Sequence, residues 1–168
     1  FFCGAGISYP AMPTIQGLVD AIYENLGEHP SSMETAAYKR DQFDATLDLL
    51  ERRIPGQRLA MRRALEQRLK PQRRLHQGAT DTHAALLQLG RSRDGTLRLV
   101  TTNFDRLFDK AAKRTKQTCV GYAAPMLPIP KASRWDGVVY LHGLLPARRD
   151  DNALHRLVVT SGDFGLAY

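Results

Sequence analysis

Apolar positions follow two regimes along the chain. From Thr14 to Gly90 they recur at helical spacing, and from Leu97 onward short apolar runs alternate with helical stretches. In Thr14–Leu26, Ile15, Leu18, Ile22 and Leu26 form one stripe, and Gly27 supplies the stop. Ser31-Ser32-Met33-Glu34 has the form of a capping box. The helix it opens is predicted to run toward Arg53 with Phe43, Leu47 and Leu50 inward, until Pro55-Gly56 breaks it. Gln57–Lys70 predicts a further helix with Leu59, Leu65 and Leu69 inward and Pro71 at its end. Asp81 or Thr82 is expected to cap a short helix, His83–Leu89, closed by Gly90.

After Gly90 the period changes. Leu97–Thr101, Thr118–Tyr122, Val138–Leu141 and Leu157–Thr160 read as strands, with a helix over Asp105–Lys116. The prolines at 125, 128 and 130 make Ala123–Lys131 a loop, and Pro146–Ala153 reads as a charged turn. Phe1-Phe2-Cys3 is an apolar stub ahead of the glycine loop Gly4-Ala5-Gly6-Ile7-Ser8. Strands alternating with helices imply an α/β fold: a Rossmann-like, mostly parallel sheet with helices on both faces. The helical stretch 31–90 reads as an insertion after the first βα unit of a single domain covering 1–168. The chain lacks an initiator Met and begins inside a strand, so it reads as a fragment of a longer protein.

Composition narrows the class. With 168 residues, 43% hydrophobic and 24% charged, the chain can bury an ordinary core. No run approaches the ~20 apolar residues of a membrane span, and no signal peptide is visible, so the expected location is cytoplasmic. Cys3 and Cys119 cannot make a disulfide framework or a four-cysteine zinc site. The net charge is +7, concentrated in Arg52 to Arg74. That run reads either as a surface for nucleic acid or an acidic partner, or as the solvated face of an amphipathic helix. No aromatic residues interleave with it, which argues against a base-stacking platform.

Ligands of open α/β sheets bind beyond the carboxyl ends of the strands. Three such ends carry polar groups: Gly4 to Ser8, Thr101-Thr102-Asn103-Phe104-Asp105, and His142-Gly143. Glycines let a backbone turn tightly and approach a ligand, and a following helix N-terminus suits a phosphate. Each segment also has a plainer reading. The glycine loop can be a structural turn, Asn103 and Asp105 can cap the next helix, and His142 can be a turn histidine. His76, His83 and His155 lack a partner motif and read as structural or surface residues, and His29 lies in a polar loop.

Taken together, Gly4-Ala5-Gly6-Ile7-Ser8, Thr101-Thr102-Asn103-Phe104-Asp105 and Leu141-His142-Gly143 resemble, in order, the three motifs of sirtuin-like NAD-consuming domains. The Thr-Thr-Asn form of the second motif and Val158-Val159-Thr160-Ser161-Gly162-Asp163-Phe164 resemble the bacterial sirtuin-like NAD hydrolases of anti-phage defence. The resemblance implies a sirtuin-like NAD-binding fold, NAD as substrate, and no zinc. It implies Asn103 and His142 as the catalytic pair, assisted by Asp105, with Gly4, Ala5, Gly6, Ser8, Pro13, Thr101, Thr102, Asn103 and Asp105 at NAD-contacting positions. It also implies a homo-oligomer, a companion sensor domain or protein, and abortive infection by NAD depletion. Two departures set the chain apart from the deacylase branch. Met12-Pro13-Thr14-Ile15-Gln16 stands where deacylases carry Ile-Pro-Asp-Phe-Arg, and the four zinc cysteines are absent.

The implied chemistry is cleavage of the nicotinamide–ribose bond through an oxocarbenium-like transition state. The glycine loop and the start of the Thr14 helix would hold the phosphates. Asn103 can orient a water or a ribose hydroxyl, and His142 can accept a proton near neutral pH. The alternatives are an NAD-dependent protein deacylase and a non-catalytic NAD or ADP-ribose sensor.

Overall fold

The computed structural model describes residues 1–54, 56, 58–70, 76–124, 127–128 and 135–168. The chain forms two compact units. One comprises Phe1–Met12 and Pro71–Leu145, the other Pro13–Lys70 and Pro146–Tyr168.

The first unit holds a four-stranded, all-parallel sheet of β1 (Phe2–Cys3), β2 (Arg98–Thr101), β3 (Gly121–Ala123) and β4 (Gly137–Tyr140), in the order β1-β2-β4-β3. One register line runs through Cys3, Thr101, Tyr140 and Ala123, so every strand ends at the same edge. Alternation sends Leu97, Leu99, Val138 and Tyr140 to one face. There they pack with Ala84 and Leu87 of α5 (Asp81–Leu89) and Phe108, Ala111 and Ala112 of α6 (Leu107–Thr115). Gly137 admits no side chain, since a Cβ there would lie 2.1 Å from the Val120 carbonyl oxygen. The chain is therefore α/β with a parallel sheet, as the alternation predicts. The α5 helix is entered from Thr80, not from Asp81 or Thr82, which lie within its first turn. The third strand begins three positions later than its β-rich run.

The second unit is helical: α1 (Ile15–Leu26), α2 (Ser32–Tyr38), α3 (Phe43–Arg53), α4 (Arg58–Leu69), α7 (Asp151–His155) and α8 (Ser161–Ala167). Thr14 caps α1 by accepting from the Gly17 amide, and Gly27 ends it at φ 66°. The buried side of α1 is Leu18, Val19, Ile22 and Tyr23; Ile15 is exposed. Ser31 and Glu34 form the predicted capping box. The single helix expected from there to Arg53 is instead two, divided by a turn in which Asp41 takes φ 57°. Pro55, Gln57 and Pro71, the expected helix breaks and start, lie outside the described residues.

Two expectations near the C-terminal end are corrected. The charged stretch ending at Ala153 enters α7, capped by the Asp150 carboxylate on the Ala153 amide. Leu157–Thr160 is buried but is not a strand. The Val159 and Thr160 amides donate to Asp163 Oδ2 at 2.9 and 3.0 Å, so a side chain takes the place of a ladder partner.

That same carboxylate anchors an arginine cluster. Arg62, wholly buried, donates to Asp163 Oδ2 at 2.5 Å and to Glu51 Oε2 at 2.9 Å. Arg58 donates to Asp163 Oδ1 and Glu51 Oε1 at 2.6 and 2.7 Å. Burial alone would raise the Asp163 pKa. The Thr160 and Val159 amides and the two guanidinium groups outweigh it and hold the carboxyl below its ordinary value. Elsewhere in the basic run Arg52 pairs with Asp48, Arg53 with Glu28 and Glu34, and Arg63 with Asp151. Much of the sequence's positive stripe is thus spent on carboxylates of the same unit.

Candidate functional site

Both β1 and β4 pair with β2, so the three polar strand ends emerge side by side at one sheet edge. Beyond Cys3 the chain turns through a short 3-10 helix, Ala5–Ser8. Its first backbone bond runs from the Ile7 amide to Gly4 O at 3.2 Å. The amides of Ala5 and Gly6 precede that bond, so the turn itself gives them no acceptor. Neither Gly4 nor Gly6 has a positive φ. A Cβ at Gly4 would make an ordinary 3.5 Å contact with Thr102 Oγ1, and one at Gly6 would meet no atom within 4 Å. The fold therefore places no demand for glycine at position 6. A Cβ there would only fill the open space beside the loop.

Beneath the loop lies a buried polar cluster. Ser8, Asn103 and Asp105 are 2%, 6% and 4% exposed, and His83 is wholly buried. The Ser8 hydroxyl donates to Asp105 Oδ2 at 2.8 Å and accepts from Asn103 Nδ2 at 3.0 Å. It lies 3.3 Å from His83 Nε2. Buried polar groups are costly unless paired, so these contacts hold the loop after β1 against the segment after β2. Thr101 and Thr102 support the same segment. Thr101 Oγ1 accepts the Asn103 amide at 3.1 Å, and the Thr102 amide donates to Cys3 O at 3.2 Å.

The two Asp105 oxygens have separate partners, and the capping reading accounts for one of them. Oδ1 accepts the Leu107 amide at 2.9 Å at the start of α6, and Oδ2 receives Ser8. Asn103 caps nothing through its amide nitrogen, which points to Ser8.

His142 follows β4 by two residues. The Leu141 amide donates to Thr101 O at 2.9 Å, which carries the β2–β4 pairing one step past the strands. The turn then closes through Gly143 at φ 96°, a conformation that suits glycine. The Leu145 amide donates to Phe104 O at 2.9 Å, and Arg106 Nη1 donates to Leu145 O at 2.9 Å. The His142 ring stands 6.2 Å from that of Phe104, and its half-buried position lowers its pKa below 6.5. The turn bearing His142 is thus fastened to the segment bearing Asn103 and Asp105. Pro13, the remaining sequence-implied contact, begins the second unit.

His83 is the residue that sequence reading set among structural or surface histidines. Its signal is positional: it stands four residues before Leu87 on the buried side of α5, where both are fully buried. Burial lowers its pKa, with Asp105 partly opposing, and its ring meets Phe108 edge-on at 4.9 Å. Among the described residues no group of three or more His, Cys, Asp or Glu side chains is placed to hold a metal ion.

Comparison with known proteins bears on this geometry. Residues 97–168 match the family model of the SIR2-like domain, a span that includes Asn103, Asp105 and His142. The chain is 32% identical over 175 residues to the uncharacterized protein y4cA of Sinorhizobium fredii (strain NBRC 101917 / NGR234). That similarity covers 100% of this chain and 14% of the relative, so the chain spans a small part of the protein it matches.

Proposed function

We propose, on the premise that this chain is a sirtuin-like domain, that it hydrolyses NAD to nicotinamide and ADP-ribose. The observation that carries the reading is the Ser8–Asn103–Asp105 cluster, which ties the glycine loop to the polar end of β2 next to the His142 turn. NAD fits the residues present. The space beside Gly6 is open, and the Ala5 and Gly6 amides suit a phosphate oxygen. The Asn103 amide nitrogen is engaged by Ser8, and its carbonyl oxygen is the group we assign to substrate or water.

The chemistry balances simply. A water oxygen bonds to the ribose C1′ as the bond from C1′ to the nicotinamide nitrogen breaks. The bonding pair leaves with nicotinamide, which becomes neutral, and the water proton passes to His142. A neutral, half-buried imidazole suits that proton transfer. Asp105 holds Ser8 and the start of α6.

We read 1–168 as one sirtuin-like domain of a longer protein with a helical insertion; of the 31–90 expected for that insertion, α5 (Asp81–Leu89) belongs instead with the sheet of the first unit. Its proposed setting is bacterial anti-phage defence by NAD depletion, gated by an oligomer or a companion sensor. Incubation of the full-length protein with NAD, followed by chromatography, tests the activity. Nicotinamide release that needs no acylated peptide supports it. Release that needs one turns the reading to a deacylase, and tight binding without turnover turns it to a sensor.

A further inference from the structure

Ser8 has one hydroxyl proton and two lone pairs, and it has three polar neighbours. They are Asp105 Oδ2 at 2.8 Å, Asn103 Nδ2 at 3.0 Å and His83 Nε2 at 3.3 Å. The Asp105 oxygen accepts the single proton. Both other neighbours must then donate, Asn103 through its amide NH2 and His83 through Nε2–H. This leaves His83 Nδ1 bare, and among the described residues that buried nitrogen has no hydrogen-bond partner. The opposite tautomer would draw the Ser8 proton toward the ring and set a serine lone pair against Asp105. The direction of the hydroxyl proton is thus tied to which ring nitrogen of His83 carries hydrogen.

From this geometry we infer that His83 is a positioning residue: as an Nε2–H donor to Ser8, it keeps the hydroxyl proton on Asp105 and so holds the loop after β1 to the segment that carries Asn103. The inference rests on the hydrolase reading for its kinetic consequence, but the tautomer stands apart from it. His83 touches no reacting atom and acts through Ser8. Its α5 position, edge-on to Phe108, keeps the ring from turning.

The test uses the full-length protein with His83→Leu, which removes the donor, and His83→Gln, whose amide nitrogen can stand in for Nε2–H. His83→Leu is expected to lower kcat by about 10²-fold, as misorientation of a catalytic group does, with KM for NAD changed less than about threefold. His83→Gln should recover most of that loss. Equal impairment of both variants, or a loss confined to KM, overturns the inference. So does equal destabilisation of both with matching loss of rate, which would make the histidine a packing residue. A second readout does not depend on turnover. In 15N-histidine-labelled protein, the difference between wild-type and His83→Gln spectra isolates the His83 ring. The expected signals are a protonated Nε2 and a bare Nδ1, changed by Ser8→Ala. A protonated Nδ1, or a ring indifferent to Ser8→Ala, overturns the assignment. If the wild-type protein releases no nicotinamide while the tautomer is as stated, the hydrolase reading fails and the Ser8–His83 coupling stands.

Discussion

Ser8 donates its hydroxyl proton to Asp105 Oδ2 at 2.8 Å, joining the loop after β1 to the segment after β2 inside the sheet edge. Both groups are buried, and the other carboxylate oxygen holds the Leu107 amide. Asp105→Ala should therefore leave Ser8 and the Leu107 amide unsatisfied at once. At ~1–3 kcal/mol for a buried group stripped of its partner, local stability should fall measurably. Amide exchange at Leu107 and Phe108 should quicken and nicotinamide release should drop. Asp105→Asn, which keeps an acceptor, should exchange more slowly than Asp105→Ala.

The pH dependence has a defined sign. Burial lowers His142 below 6.5, and the proposed role needs the neutral ring. The rate is then full above the folded-state pKa and falls as pH drops through it. The acid limb of kcat/KM should lie below pH 6.5, and His142→Ala should lack it. His83 is lowered for the same reason, so the unfolded chain takes up protons before the native state does. Its contribution to stability is whole above about 6.5 and is lost as pH falls from there through the folded-state value. Denaturation midpoints at pH 7.5 and 5 should differ less in His83→Gln than in wild type.

Asp163 should be the most sensitive acidic position of the second unit. It pairs with the fully buried Arg62 and holds the Val159 and Thr160 amides. Breaking a buried pair from one side costs ~3–5 kcal/mol. Asp163→Ala is expected to expose 157–163 to limited proteolysis under native conditions, whereas Asp151→Ala, at an exposed pair with Arg63, should not.

Local chemistry made much of this architecture legible. Thr14, Ser31 and Gly27 act at helix ends through their own backbone and side chains, so their roles show in a short window of sequence. The three polar strand ends were readable for the same reason. What escaped depends on distant partners. Leu157–Thr160 has the composition of a strand, but Asp163 satisfies its amides. The arginines of α3 and α4 look like a solvent face until Glu51, Asp151 and Asp163 are brought to them. His83 is marked in sequence only by its spacing to Leu87, which reads as burial, and its partner Ser8 is 75 residues away. The break between α2 and α3 turns on Asp41 at positive φ, which apolar periodicity does not report.

Nicotinamide release from NAD by the full-length protein, set beside Asn103→Ala and His142→Ala, bears most directly on the proposed chemistry. Wild-type protein should release nicotinamide and ADP-ribose in equal amounts without an acylated peptide. Both variants should stay folded and be slower, His142→Ala by ~10²–10⁴-fold, the range for a lost general base. Hydrolysis at the wild-type rate by either variant would contradict the role given to that residue. No release by the activated wild-type protein would contradict the hydrolase itself.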